Sequence, residues 1–430
     1  MARFEIAVFS EDATIPIGHR CMGVLKQKSV KVVDPLQVHG CVLLGGARPV
    51  VFAAVDWCEI RNEAYDRWRE VLADAAGTNR ERVFVFSLHQ HDAPVTDNGA
   101  EELLSKVGLS GELFDFEFQE DVLKRVGRSI RESLKSKQPV DRIGFGKAKV
   151  KEIASNRRHV TPDGRVTFSR GSRSGSSKVY AEAPAGLIDP WVKTISFWQG
   201  KQPVVALSSY ATHPMSYYGR GGITYDFVGM AREQRRRDDP KVHQIYASGC
   251  SGDVTAGKYN NGSQAHRELL ANKLYVGMKE AWKATETFPL EKADFRSTKL
   301  SLEYRKDDSH SLASMLAVLE DEQQTTEKRI LAAMGLSSRR RVQSGYKIDL
   351  PVVDFGRGEI VLFPGESFVG YQLMAQEMKP DSFVMSIGYG ECWPGYVPTK
   401  AAFDDKFNDV WLWVPPGSEA RMLEALKKVL

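Results

Sequence analysis

Short apolar runs alternate with longer stretches of helical period along this chain. Val50 to Val55 (VVFAAV) has no polar position and predicts a strand buried on both faces. A helix follows from about Asn62 to Ala76, with Gly77 as its stop. Val83 to Phe86 (VFVF) is the next strand, and an amphipathic stretch covers about Leu113 to Lys137, ending before Pro139. Further strands are expected at Val204 to Ser208 and Gln244 to Ala247, around a helix at about Phe227 to Arg237. Ser263 is placed to cap a helix reaching about Thr285. Residues 294 to 305 look extended, and one long helix is expected from about Ser309 to Met334, stopped by Gly335. Strands Glu359 to Leu362 and Phe383 to Ile387 flank a helix at Ser367 to Met378. A last helix spans about Gly417 to Val429. This order predicts an α/β fold with a mixed β-sheet core flanked by helices. There is no internal repeat and no linker, so residues 1–430 read as a single catalytic domain.

Residues 140 to 188 break the pattern. They are rich in Arg, Ser and Gly, with a turn at Thr161-Pro162-Asp163-Gly164-Arg165 between two short extended pieces. From about 150 to 188 this reads as an elaborated loop over a site, although Ser169 to Lys178 reads equally well as a disordered surface excursion.

Composition narrows the class. With 430 residues and 42% hydrophobic content the chain can bury a large core. A net charge of +4 gives no argument for nucleic acid. The clusters Arg235-Arg236-Arg237 and Arg339-Arg340-Arg341 read as solvated helix faces. The five cysteines are odd in number, irregularly spaced and without a C-x-x-C pair, against a disulfide framework or a cysteine-zinc site. No basic-then-apolar leader is visible at the N-terminus, so the chain as written reads as cytoplasmic, with export open if a leader has been removed. No apolar stretch reaches the roughly 18 to 20 residues of a membrane span. Oligomeric state is not legible.

Chemistry gathers just after the strands. VFVF leads into His89-Gln90-His91-Asp92, VVALS into Tyr210-Ala211-Thr212-His213, QIYA into Ser248 and onward to Asp253 and Thr255, EIVL into Pro364-Gly365-Glu366, and FVMSI into Gly388 and onward to Tyr396. Ligands bind outside the carboxyl ends of strands in open α/β sheets, so these segments are candidates for one crevice. In extended backbone, His89 and His91 would point to one side. That suits two metal ligands, or one ligand and a proton carrier, or a hydrogen-bonded pair at a loop. His213 is a third imidazole, and Glu366 is either a carboxylate ligand or an acid complementing a helix dipole. Taken together, imidazoles and a carboxylate match the ligand set of a catalytic zinc with an open position.

The same segments carry a resemblance. His89-Gln90-His91-Asp92-Ala93-Pro94 is similar to the His-Thr-His-Ser-Gly-Pro signature of the neutral/alkaline ceramidase family. Asp34-Pro35-Leu36 and Val51 to Asp56 resemble that family's opening strand pair, and Asn156-Arg157 its Asn-Arg element. Ala211-Thr212-His213-Pro214 resembles its second histidine motif. Gly252-Asp253-Val254-Thr255 stands where the family has Gly-Asp-Val-Ser. Pro364-Gly365-Glu366 and Gly395-Tyr396-Val397-Pro398-Thr399 resemble its Pro-Gly-Glu and Tyr-Ile-Thr-Thr motifs. The matches run in order through nearly the whole chain and point to short bacterial members.

The resemblance implies one zinc per chain, held by His89, His213, Glu366 and Tyr396. It implies that His91 handles a proton, that Arg157 contacts substrate, and that Asp253 and Thr255 belong to the catalytic set. It implies hydrolysis of an N-acyl amide through zinc-activated water, in sphingolipid or wider lipid metabolism. Two departures bear on the substrate. Thr255-Ala256-Gly257 replaces the family's Ser-Pro-Asn, and Phe407-Asn408-Asp409 occupies the region of a second family tyrosine. The chain also has no room for the C-terminal β-domain of longer members. The alternatives are a zinc hydrolase of a polar, carbohydrate-like metabolite and a non-catalytic ceramidase-like binding protein. The expected partner is a small-molecule or lipid-derived substrate.

Overall fold

The computed structural model describes residues 4–161 and 163–430. Met1 to Arg3 and Pro162, the latter part of the expected turn, lie outside the described residues. The core is a set of mixed sheets flanked by helices, as the sequence pattern predicts.

Three sheets share one plan. In the first, the strand order is Val83–Ser87, Val50–Val55, Gln37–Leu44, Phe4–Asp12, Gln138–Val140. In the second it is His243–Ser248, Gln202–Tyr210, Trp191–Gln199, Arg142–Lys149, Glu286–Pro289. In the third it is Asp294–Leu300, Ile348–Asp354, Gly358–Leu362, Phe383–Ile387. Each sheet carries one parallel pair at an edge, and its other pairings are antiparallel. A parallel pair needs a crossover. The crossovers contain the helices Asn62–Ala76, Asp226–Asp238 and Val369–Met378. The fold therefore holds three βαβ units, and all three direct their carboxyl ends to one place.

Hydrogen bonds just past those strand ends stitch the sheets together. The Ser87 N–H donates to Tyr389 O at 3.0 Å and the Gly388 N–H to Ser248 O at 2.9 Å. The Ser248 hydroxyl donates to Leu88 O at 2.8 Å. Behind this seam, Val50–Val55 and Val83–Ser87 are buried at every position, because helices cover one face and neighbouring sheets the other. Burial on both faces explains why these strands are uninterrupted apolar runs.

Helix ends follow local chemistry. Gly77 adopts φ 66° and closes Asn62–Ala76 by donating to Ala73 O and Asp74 O. Ser263 accepts the His266 N–H at the start of Gln264–Lys283.

The single long helix expected from Ser309 to Met334 is two helices, Leu312–Glu320 and Thr326–Gln343. Residues 321–325 (DEQQT) contain neither Gly nor Pro, and the break comes from Thr325, which caps the second helix by accepting from the Lys328 N–H. Gly335 is not a stop. It lies inside the second helix, where a Cβ would sit 2.8 Å from Met315 Sδ and 3.2 Å from both Trp413 Nε1 and Tyr304 Oη. Close packing, not helix termination, requires glycine there.

Residues 140 to 149 belong to the sheets and not to the loop. From 150 to 188 the chain is irregular, with a short pairing of His159–Val160 with Val166–Thr167 around the expected turn. Ser169 to Lys178 is no surface excursion. Arg170 is buried and donates to Asn156 O and Ala185 O, and Ser172 O accepts from Asn260 Nδ2 at 2.7 Å. The basic clusters are likewise not purely solvated. Arg235 and Arg341 are buried, paired with Asp238 and Asp239 and with Asp66 and Glu391 respectively. All five cysteines are buried free thiols. Among the described residues no helix is long and apolar enough to cross a membrane.

Candidate metal centre

His89 and His91 lie beyond the strand, which ends at Ser87. His89 adopts φ 68°, a left-handed conformation uncommon outside glycine. The extended-backbone argument for the pair therefore does not apply. The bent backbone still brings the rings to 5.4 Å of each other. Tyr389 also has a positive φ of 58° and stacks on the His89 ring at 4.2 Å. Two strained residues in face-to-face contact mark a place where the fold holds side chains against local preference.

The three βαβ units each contribute to the centre. From the first come His89 and His91, from the second His213, and from the third Glu366. The Nε2 atoms of His89 and His213 lie 3.3 and 2.9 Å from the same oxygen, Oε2 of Glu366. Their Nδ1 atoms face backbone carbonyls, Cys58 O at 3.0 Å and Ser251 O at 2.6 Å. A carbonyl can only accept, so each Nδ1 carries a proton, and Nε2 is the nitrogen that would offer a lone pair to a metal bound beside Glu366. Two imidazole nitrogens and a carboxylate directed at one volume, all buried, form a donor set for a metal ion.

Tyr396 reaches the centre through a ladder. Glu366–Ser367 pairs in parallel with Tyr396–Val397, with Glu366 directly opposite Tyr396. The close approach of the loops depends on glycine. A Cβ at Gly252 would lie 2.1 Å from Glu366 O, and one at Gly395, whose φ is 59°, would lie 1.8 Å from Trp411 O.

The electrostatics are those of a shared ionic cluster. Burial works to raise the Glu366 pKa, but the imidazoles of His89 and His213 outweigh it and hold the carboxyl well below the ordinary carboxylate range. Burial and then Arg157 push His213 down to about 4. Burial, reinforced by His89 and His213, holds His91 well below the usual imidazole range. His91 Nδ1 is buried without a hydrogen-bond partner. Arg157 is half-buried with its Nε out of solvent, and its guanidinium lies 5.4 Å from the centre of the Tyr396 ring. A cavity of about 30 Å³ is lined by Met22, Cys58, Glu59, His89, His91, Glu366, Tyr396 and Trp411. It has room for about one or two water molecules.

Asp253 and Thr255 stand apart from this cluster in role. Asp253 accepts the Val369 N–H at 2.8 Å on one oxygen and Asn156 Nδ2 at 2.8 Å on the other. Its backbone carbonyl accepts the Arg157 N–H at 2.6 Å. It ties the Glu366 segment to the Arg157 loop. The Thr255 hydroxyl accepts the Gly257 N–H at 2.9 Å, and Thr255 pairs with Ser155 in a short ladder beside Asn156. Phe407, in the region of the second family tyrosine, packs its ring 5.5 Å from that of Tyr396.

Two residues were missed by sequence reasoning. Glu59 lines the cavity with Oε1 lacking a hydrogen-bond partner, while Oε2 accepts from Arg61 at 2.7 Å. Tyr389 stacks on His89 and shares a 2.7 Å hydrogen bond with the Ser251 hydroxyl. Both follow strands, Val50–Val55 and Phe383–Ile387, so the strand-end rule contained the signal for each.

The fold that carries these three βαβ units is shared with solved structures of ceramidases. Over the whole chain the structure matches neutral ceramidase from Pseudomonas aeruginosa with a TM-score of 0.71 at 16% identity, covering 74% of that chain. It matches a ceramidase complexed with C2 equally, with a TM-score of 0.72 at 15% identity, covering 100% of this chain and 75% of that one. No family model and no curated protein matches the sequence. The chain has the neutral ceramidase fold.

Proposed function

We propose that this chain is a zinc-dependent hydrolase that cleaves an N-acyl amide, with a lipid-derived substrate. The observation that carries the reading is the convergence of His89 Nε2 and His213 Nε2 on Glu366 Oε2, with both Nδ1 atoms anchored on carbonyls. His89, His213 and Glu366 would hold the ion, with the Tyr396 phenol opposite Glu366 as the fourth ligand. Zinc bound there supplies Lewis acidity, which lowers the pKa of a water and polarises an acyl carbonyl.

The chain's own groups divide the remaining work. His91, neutral and with Nδ1 unpartnered, accepts a proton from the attacking water and returns one to the leaving amine. Arg157 keeps its charge while half-buried, because electrostatic attraction to Tyr396 and Glu366 outweighs the cost of burial. It fixes an oxygen of the substrate. Asp253 positions Arg157 and the Glu366 segment, and Thr255 shapes the turn beside Asn156. Met22 and Trp411 wall the cavity with apolar surface that limits water around the reacting group.

The small size of the cavity favours a second reading, a hydrolase of a compact polar metabolite on the same centre. One experiment tests both. The purified chain is analysed for bound metal and assayed against N-acyl amides of increasing acyl length and against polar glycosides, before and after chelation. Zinc near one per chain and chelator-sensitive amide cleavage are expected. Glycoside cleavage alone would move the reading to the metabolite. A metal-free chain with no hydrolysis would leave only a binding protein.

A further inference from the structure

The segment that walls the metal cavity continues onto the surface as an apolar and basic patch. Met22 lines the cavity, and its N–H donates to Ala93 O at 2.7 Å, just after the His91 segment. A few residues on, Val30, Val32 and Val33 are 58%, 47% and 41% exposed. Large apolar side chains exposed together on a soluble surface call for an explanation, whereas single ones do not.

The patch is held in place. The Gly18 N–H donates to Ser29 O at 2.8 Å and the Ser29 N–H to His19 O at 2.9 Å, which anchors the start of the valine stretch. The Val30 N–H donates to Gly221 O at 2.8 Å, Lys31–Val32 pairs in parallel with Gly222–Ile223, and the Val33 N–H donates to Ile223 O at 2.8 Å. Rigid backbone thus keeps the valines facing water instead of letting them fold inward. The partner strand connects to the site as well. It follows Tyr218, whose ring meets His91 edge-on at 4.9 Å, and Gly219, whose N–H donates to Asp92 Oδ1 at 2.9 Å.

Lys26, Lys31 and Arg220 are exposed around these apolar residues. Among the described residues none of the three forms an ion pair, whereas Lys28 is paired with Glu112 at 2.9 Å. Exposed valines beside unpaired cations match the boundary of an anionic bilayer, where the valines enter the acyl region and the cations meet lipid phosphates. A second copy of the chain fits less well. A two-fold contact would bring this patch onto itself and set Lys31 and Arg220 against their own like charges.

We propose that the surface formed by Val30 to Val33 and Arg220 docks the protein onto anionic lipid membranes and sets the mouth of the site against the source of its substrate. This rests on the lipid-derived reading of the site. The test is co-sedimentation of the whole chain with vesicles of phosphatidylcholine alone and with added phosphatidylglycerol. Thermal melting and hydrolysis of a soluble short-chain N-acyl amide serve as controls. Binding to the anionic vesicles is expected, weakened by salt. A Val30→Asp/Val32→Asp variant and a Lys31→Glu/Arg220→Glu variant should each bind about tenfold more weakly or worse, with melting and soluble-substrate turnover unchanged. Vesicle binding that both variants retain, or none by the wild type, would overturn the proposal. So would a concentration-dependent dimer that the valine variant disperses. If the vesicle results hold but no N-acyl amide is hydrolysed, the docking surface stands and the reading of the site falls.

Discussion

His213 Nε2 lies 2.9 Å from Oε2 of Glu366 across 153 residues of sequence. Neither residue is near the other in any local element. The contact exists because the second and third βαβ units end at the same point, and His89 from the first completes it. The predictions below follow from how that meeting is maintained.

Tyr389 supports the centre without being one of its expected ligands. Its ring stacks on His89, and its hydroxyl bonds to Ser251, whose carbonyl holds His213. Tyr389→Phe keeps the stacking and loses the hydroxyl, so zinc affinity is expected to fall about tenfold; Tyr389→Leu loses both and should approach a hundredfold. Competition titration with a chromogenic chelator measures this, and equal affinity in all three proteins would remove Tyr389 from the support of the site.

Asp253→Ala leaves the buried Val369 N–H without its acceptor and takes one of the two acceptors of the Asn156 amide, which keeps Leu187 O. Each bond to a charged acceptor contributes about 1.5 to 3 kcal/mol, so a loss of roughly 3 kcal/mol or more is expected in urea denaturation. Turnover should fall as well, because the Arg157 loop and the Glu366 segment lose their tie. A normal melting curve with abolished turnover would instead make Asp253 a participant in the chemistry.

Gly395→Ala tests the approach of the Tyr396 loop. The added methyl meets Trp411 O on a backbone already at positive φ, so a cost of about 3 kcal/mol is expected, together with loss of metal. Calorimetry and metal analysis of the variant check both, and wild-type values would mean that the loop yields more easily than its packing indicates.

Acid sensitivity is expected away from the candidate metal centre. His39 and His243 face each other at 5.9 Å. Burial, then Arg232, lowers both, His243 to about 4 from 6.5 and His39 well below 6.5. Each is neutral in the native state and takes up a proton when the chain unfolds at acid pH. Their contribution is therefore complete above about pH 6.5 and is lost as pH falls toward about 4, by roughly 3 kcal/mol for His243. Urea midpoints measured across this window should decline, and a His39→Gln/His243→Gln variant should flatten the decline.

The strands that end at the site were legible because they are buried on both faces and followed at once by polar residues. Val50–Val55 and Asn62–Ala76 appear with the bounds the pattern gave. Other elements were hidden for physical reasons. Ile348–Asp354 contains Pro351, which argues against a strand. Pro351 is tolerated because it pairs only with Ser297 on one side, while the neighbour on the other side pairs from Val352 onward. The division of the long helix was hidden because DEQQT suits a helix as well as a turn. The candidate metal residues were legible as types at strand ends, but the His-x-His geometry was not, since it depends on a left-handed His89 that tertiary contacts impose. Glu59 was hidden because Glu59-Ile60-Arg61 looks like the ordinary lead-in to a helix.

Glu366 and Tyr396 face each other as register partners in a ladder only two residues long. Side chains alternate in direction along such a pair, so a slip of one residue turns the phenol away from the carboxylate and offers Gly395 or Val397 in its place. The centre is thereby its own proofreader. A chain threaded one step out of place yields an inert protein, not one with altered chemistry. Hydrolysis, wherever it is found, certifies that the third βαβ unit has closed correctly.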